Sequence, residues 1–398
     1  MLRFLTAGES HGPSLSVIIE GLPSGLAIDA EGIADELARR RLGYGRGPRM
    51  RFERDELRLI GGVRHGRTLG SPVAVEILNS EWPKWEQEMS AAPGTPAQKQ
   101  TKPRPGHADL AGMQKYAFDD ARDVLERASA RETAARVAAG AFAKALLSTI
   151  GVAIVSHVTR IGEAATPSDL RPLPGDLEAI DDNEVRCFDV ESASAMVAEI
   201  KSAAKVGDSL GGIVEVIAYG VPVGLGSHVH WDRKLDGLLA GALMSIQAVK
   251  AVEIGDGFAQ ARQRGSVAHD AIAVDDSFDR GGGFIRRTDH AGGTEGGISS
   301  GAPIIARVAM KPLSTLNRPV LETVDVVTHE TAVSFKERTD VTAVPALGVV
   351  SEAMMALVLA NEAVRKFGGD SVEEFTRNHA SYIANLGSTS SAARPEEP

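Results

Sequence analysis

Two histidines stand in turns that contain glycine. His11 lies in Gly8-Glu9-Ser10-His11-Gly12, just ahead of an apolar run, and His107 lies in Arg104-Pro105-Gly106-His107-Ala108-Asp109-Leu110. An imidazole changes charge near neutral pH and so can give or take a proton. Glycine lets a second molecule come close to the backbone. Each histidine alone also has a structural reading, His11 capping a strand and His107 capping a helix.

Arginine supplies the second kind of chemistry. Arg39, Arg40, Arg41, Arg46, Arg49 and Arg51 fall within thirteen residues, with glycines and a proline among them. Arg39 to Arg41 suit a helix C-terminus, where cations complement the dipole. That does not explain Arg46 and Arg49 on a Gly/Pro loop, whose guanidinium forks suit carboxylates and phosphates. Their mutual repulsion predicts a mobile loop without a ligand. In Glu126–Val137, Arg127 and Ser129 stand at the entrance of an Ala-rich stretch, where the N-terminus of a helix favours an anion. Gly292–Ile304, "GGTEGGISSGAPI", carries five glycines. It is neither a Walker loop nor a dinucleotide fingerprint, since no Gly-Lys-Ser/Thr follows and it does not open a helix after a strand. Met310–Thr315, "MKPLST", places a lysine and two hydroxyls at a strand end. Together these segments describe a glycine-walled, arginine-rich site for phosphorylated ligands.

Composition limits the alternatives. The chain has 398 residues, 43% hydrophobic and 24% charged, with a net charge of −10, 42 glycines and the single Cys187. Length alone suggests two or three domains. One cysteine excludes an internal disulfide or a cysteine-based zinc site, and no metal is expected. The acidic balance argues against a general nucleic-acid binder. No apolar h-region opens the chain and no run of about 18 apolar residues is evident, so neither a signal peptide nor a membrane span is expected.

The elements that must position these residues alternate. Strands are expected over Ser14–Glu20, Pro72–Ile77, Val152–Arg160, Gly212–Ala218, Ala268–Val274 and Pro303–Ala309. Helices are expected over Glu31–Arg41, Ala128–Ile150, Ser192–Ala204, Arg233–Gln247 and Ala346–Phe367. Asn79 to Pro103 reads as a long surface loop, and the tail from Asn385 as disordered. Ser14–Leu26 resembles Gly211–Leu225, and Ala121–Gly140 resembles Arg338–Leu357. This is the pattern of an internal duplication or of chance similarity.

The motifs in this order resemble the chorismate synthase family. GESHG, Arg46-Gly47-Pro48-Arg49, RPGHADL, RASARETAARV, GDGF (Gly255–Phe258), GGTEGGISSG, KPLST and ERTDVTAVPA (Glu337–Ala346) carry the resemblance over nearly the whole chain. It implies an α/β (α+β) fold: a single-domain β-α-β sandwich of residues 1–385 with a central helical layer and an internal pseudo-twofold, then a disordered tail, 386–398. It implies a lyase that removes phosphate from 5-enolpyruvylshikimate 3-phosphate by 1,4-anti elimination, giving chorismate. Reduced FMN is required without net redox change, NADPH or an external flavin reductase is the reductant, and the enzyme is a cytoplasmic homotetramer.

By the resemblance His11 protonates the leaving phosphate, His107 acts at the flavin, Asp340 supports the flavin N5, and Ser10 and Ser129 relay protons. Arg127, Ala128, Ser129, Gln247, Ala248, Gly296, Lys311, Pro312, Leu313, Ser314, Thr315 and Arg338 match flavin-contacting positions. Arg40, Arg46, Arg49 and Arg131 match substrate- or NADPH-binding positions. The glycines flanking His11 are then expected to make room for substrate and flavin. Asp289 and Ser300 stand where the family often has asparagine, and Asp289 adds a negative charge unless it points away or pairs with Arg286 or Arg287. Two other classes remain: a flavin- or anion-binding module without catalysis, and a flavin oxidoreductase with net reduction of its substrate.

Overall fold

The computed structural model describes residues 1–47, 56–167, 170–275, 277–278, 281–335 and 339–386. Arg49, Arg338 and the tail beyond Leu386 lie outside the described residues.

Two antiparallel sheets carry the larger strands. The first contains β1 (Arg3–Ala7), β2 (Ser14–Glu20), β3 (Glu56–Gly61) and β4 (Val73–Leu78), in the order β1-β2-β4-β3. Alternation decides its inner face: Leu15, Val17 and Ile19 of β2 are buried with Val73, Val75 and Ile77 of β4, and Val17 stands opposite Val75, as the two-residue period of a strand requires. The second contains β5 (Ala153–Ile161), β6 (Ala164–Ala165), β7 (Gly212–Tyr219), β8 (Val249–Ile254) and β9 (Ile304–Met310), in the order β8-β9-β7-β5-β6. Its centre is buried on both faces: Val214 to Ala218 of β7 are all inaccessible.

The helices that matter most for the site are α1 (Ala30–Arg39), α2 (Asp109–Tyr116), α3 (Arg122–Ala128), α4 (Thr133–Ser148), α5 (Val190–Val206), α6 (Leu235–Met244), α7 (Val344–Phe367) and α8 (Val372–Ala384). Helix α4 packs on the first sheet, α7 packs on the second, and the two helices pack on each other. Small residues allow this closeness: a Cβ on Gly140 would lie 2.3 Å from Ala353 Cβ and 2.6 Å from its Cα. Gly140→Ala is therefore expected to destabilise the fold by about 1–3 kcal/mol through overpacking, against a gain of about 1 kcal/mol in helix propensity. A denaturation midpoint that rises would show that the helices are not packed this tightly.

Helix α7 corrects one expectation. It is long and apolar enough to cross a membrane by length and composition, but it is buried within the protein. Its Glu352 is fully buried and anchors an ionic cluster. Arg39 Nη1 and Nη2 donate to Glu352 at 2.8 and 3.0 Å, and Lys144 Nζ donates to it at 2.7 Å. Ser156 Oγ donates to it at 2.6 Å, and Arg186 lies 3.4 Å away. Asp181 accepts from Arg39 and Arg186, and Glu36 accepts from Arg39 and Lys144. Three cations meet three carboxylates, as buried charges require. The cluster ties α1, α4 and α7 together at the helix end from which the arginine loop departs.

Other differences have local causes. The expected helix Ala128–Ile150 starts later and ends earlier, as α4 over Thr133–Ser148, and a separate helix, α3, ends at Ala128. Ser129 is extended (φ −63°, ψ 142°) and its hydroxyl accepts from Arg131 N, opening a 3₁₀ turn over Ala130–Glu132 before α4. Strand Ala268–Val274 shrinks to Ile272–Val274, with a helical turn at Gly265–Ala268. The loop from Asn79 contains a helical turn at Trp82–Trp85. Of the segments that resemble each other, Ser14–Leu26 and Gly211–Leu225 hold β2 and β7, while Ala121–Gly140 holds α3 and the start of α4, and the described part of Arg338–Leu357 opens α7.

Candidate active site

A cavity of about 1110 Å³ opens where the turn after β1, the end of α1, the α3–α4 junction, the end of β9 and the start of α7 converge. Among its lining residues are six basic side chains, Arg40, Arg46, Lys84, Arg104, Arg131 and Lys311, against the carboxylates of Glu81 and Asp340. In a chain of net charge −10, this is a local cationic chamber suited to an anionic ligand.

Both histidines line it, and each is held by a carboxylate. Glu126 of α3 accepts from His11 Nδ1 at 2.9 and 3.0 Å through its two oxygens, and from the His11 backbone N at 2.9 Å. Burial pushes the Glu126 carboxyl up, but the bond and charge of His11, with Arg122 at 2.9 Å, outweigh it and hold the group below the usual carboxylate range. With Glu126 ionised, Nδ1 carries the proton and Nε2 is the nitrogen for proton exchange. The indole of Trp85 lies over the imidazole, ring centroids 4.0 Å apart and planes 30° from parallel.

His107 repeats the arrangement in a shorter span. Its Nδ1 bonds Asp109, two residues on. Asp109 also accepts from Arg104 N at 3.0 Å and Arg104 Nε at 2.9 Å. Burial alone would raise this carboxyl, but the hydrogen bonds and charges of His107 and Arg104 hold it well below the usual range. Arg104 Nη1 reaches Thr315 Oγ1 at 3.1 Å, and Lys311 Nζ donates to Gly106 O. His107 does not cap α2: the residue in that position is Ala108, which makes no side-chain cap bond.

The other expected residues divide. Ser129 Oγ bonds Ser10 Oγ at 3.2 Å, and both line the cavity with Ala128, Gln247, Ala248 and Lys311 to Thr315. Gln247 Nε2 donates to Glu132 at 3.0 Å, while its Oε1 is buried and has no hydrogen-bond partner among the described residues. Arg46 Nε lies 2.8 Å from Asp340 Oδ2, and Gly47 N donates to Oδ1 at 2.6 Å. Arg46 Nη1 is buried and lacks a hydrogen-bond partner among the described residues. The loop is also tied by Tyr44 N to Glu184 O and Val341 N to Gly45 O. As far as Gly47, then, the loop is tied to its surroundings, and Asp340 compensates Arg46.

Arg127 and Gly296 are not cavity-lining residues. Arg127 donates to Gly8 O at 3.0 Å, Thr6 O at 2.9 Å and Thr6 Oγ1 at 2.7 Å, so it stiffens the turn that carries His11. Gly296 sits in the tight hairpin between Thr294–Glu295 and Ile298–Ser299. The glycines around His11 also serve the chain itself. At Gly8 (φ +103°) a Cβ would meet Ser14 O at 2.4 Å, and at Gly12 it would meet Glu9 Oε2 at 3.2 Å. Asp289 faces Arg171 at 3.6 Å, while Arg286 pairs with Glu295 instead. Ser300 donates to Gly293 O at 3.2 Å. Neither Asp289 nor Ser300 lines the cavity.

Glu126, Asp109, Arg104, Trp85 and Lys84 were not singled out from the sequence. The His-x-Asp spacing in Arg104–Leu110 was a usable signal for Asp109. Nothing local marks Glu126 or Trp85 as partners of His11.

The chain is similar to known proteins throughout its length. A family model described as chorismate synthase matches residues 2–364. The chorismate synthase of Streptomyces coelicolor is 60% identical over 394 residues, covering 97% of this chain and 98% of that protein. That of Salinispora tropica is 60% identical over 395 residues, covering 97% and 99%. A solved structure, "Crystal Structure of Chorismate Synthase", superposes with a TM-score of 0.78 at 41% identity, covering 97% of this chain and 98% of that one. With matches of this extent, the chain belongs to the chorismate synthase family.

Proposed function

We propose that the cavity eliminates phosphate from 5-enolpyruvylshikimate 3-phosphate to give chorismate, the carbon–oxygen lyase reaction of its family. The observation that supports this best is the pairing of two carboxylate-held histidines, His11–Glu126 and His107–Asp109, on one cationic chamber. A binding module needs no such titrating pairs. Arg40, Arg46 and Arg131, with Arg49 beyond the described residues, hold the substrate's carboxylates and phosphate. His11 gives a proton to the departing phosphate, with Glu126 holding its ring through Nδ1. The Ser10–Ser129 pair stands beside it as a proton relay.

The chamber also fits a flavin mononucleotide. Its volume is about 1110 Å³, and Gln247 Oε1 is a buried acceptor with no hydrogen-bond partner among the described residues. Ala128, Ser129, Gln247, Ala248 and Lys311 to Thr315 would hold it, with Arg338 outside the described residues and Arg127 acting through the turn it braces. When bound and reduced, FMN supplies electron density that eases loss of phosphate. His107 holds a proton at the flavin edge, oriented by Asp109, and Asp340, which also compensates Arg46, would support the flavin N5 as the substrate's C6 hydrogen leaves. The wider reading is a single catalytic domain of residues 1–385, a β-α-β sandwich with α4 and α7 as its middle layer and a pseudo-twofold relating β2 and β7. It includes a cytoplasmic homotetramer that receives reducing equivalents from NADPH or an external flavin reductase.

The test is anaerobic incubation with the substrate and photoreduced FMN. Chorismate absorbance and phosphate release without net flavin turnover are expected; stoichiometric NADPH loss would point to a reductase instead. A second measurement addresses the arginines. Arg46→Ala is expected to weaken substrate binding about ten- to a hundredfold, the worth of a charged hydrogen bond of about 1.5–3 kcal/mol. FMN binding in the absence of substrate should change far less. Calorimetric titration of both ligands decides it: an equal loss for FMN would make Arg46 a flavin clamp.

A further inference from the structure

We infer that Trp85 is a positioning residue for His11, fixing the plane of its imidazole during the proton transfer. The inference rests on the proposed role of His11. Glu126 grips Nδ1 with both oxygens, at 2.9 and 3.0 Å. Such a grip fixes Nδ1 but does not by itself set the plane of the ring. A ring packed against the imidazole restricts its plane, and Trp85 supplies one at a centroid distance of 4.0 Å, tilted by 30°.

The indole is itself held in place. The Arg122 guanidinium carbon lies 5.0 Å from the Trp85 ring centroid, and Arg122 Nη1 bonds the same Glu126 oxygen that His11 uses, at 2.9 Å. Arg122 Nε also lies 3.8 Å from Glu88. Imidazole, indole, guanidinium and carboxylate therefore form a closed ring of contacts, drawing on cation–π attraction as well as charge. The turn that carries Trp85 starts at Asn79, whose Nδ2 donates to Gly12 O at 2.9 Å and Ser10 O at 3.3 Å. The segment is thus pinned to the very turn that bears His11. A ring held in plane keeps Nε2 on one line of transfer, and misplacement of about 1 Å costs as much as 10² in rate.

Trp85→Leu, which keeps an apolar contact without a plane, is expected to lower kcat by about 10–10² with KM changed less than ~2-fold, as for an interaction used only in the transition state. Trp85→Phe should restore most of kcat. In a Trp82→Phe/Trp231→Phe protein, emission comes from Trp85 alone; it should change with His11→Ala and stay the same with His107→Ala. The inference is overturned by a Leu variant with wild-type kcat, by a Phe variant as slow as Leu, by a rise in KM alone, or by emission indifferent to His11→Ala. If the unsubstituted protein forms no chorismate, the functional reading fails and the kinetic role of Trp85 falls with it. The emission comparison would still decide the stacking.

Discussion

His107→Ala is expected to lower kcat by about 10²–10⁴, the usual worth of general acid–base assistance, while substrate affinity stays close to that of the unsubstituted protein. The expectation comes from geometry. His107 lines the cavity, and its Nδ1 is bonded to a carboxylate that is fully buried and held ionised by Arg104. A buried anion placed there fixes the orientation of the ring through Nδ1. Substrate anions meet the arginines, so losing the imidazole should leave binding nearly intact. Single-turnover rates of chorismate formation, with substrate affinity measured separately, make the check. An unchanged rate would leave His107 as a structural partner of Asp109 and Arg104 only.

Glu352→Ala is expected to cost about 3–5 kcal/mol of stability, because it strands Arg39, Lys144 and Arg186 beside a missing charge. The same residue sets an acid limit. Burial would raise the Glu352 carboxyl, yet Arg39, Lys144 and Arg186 hold it well below its ordinary value. A depressed native value means that the stabilisation is fully present above the unfolded value of about 4.3. It is lost as pH falls from there through the native value. Asp109, Glu126, Glu132 and Glu215 shift in the same direction and add to the acid limb. Denaturant unfolding of Glu352→Gln and of the unsubstituted protein, followed from neutral pH downward, should show a shallower fall for the variant. A loss below about 1 kcal/mol for Glu352→Ala would mean that the cluster acts like an exposed set of ion pairs. Because Arg39 precedes Arg40 and ends α1, the cluster also fixes the ledge from which Arg40 enters the cavity.

The sequence by itself determined the central strands and the family. Ser14–Glu20 was read to the residue, and the strand at Gly212 and helix at Ala346 to within two positions, because burial imposes periods that show in a short window. The residue types of the site were legible too, since GESHG, RPGHADL and KPLST each concentrate their chemistry in one turn. Edge strands β1 and β3 and helix α8 were not singled out; much of their surface is exposed, so their patterns carry less signal. Helix α3 and the extended Ser129 that separates it from α4 were not singled out either, because the seven residues of α3 are too few to show a period and one serine cap decides the interruption. The partners inside the site were decided by the tertiary structure alone. His11 meets Glu126 across 115 positions, and Gly47 meets Asp340 across 293. A charge has no periodicity and attracts any opposite charge that packing brings near. Which carboxylate serves which base therefore depends on how α3 and α7 come to rest against the turns.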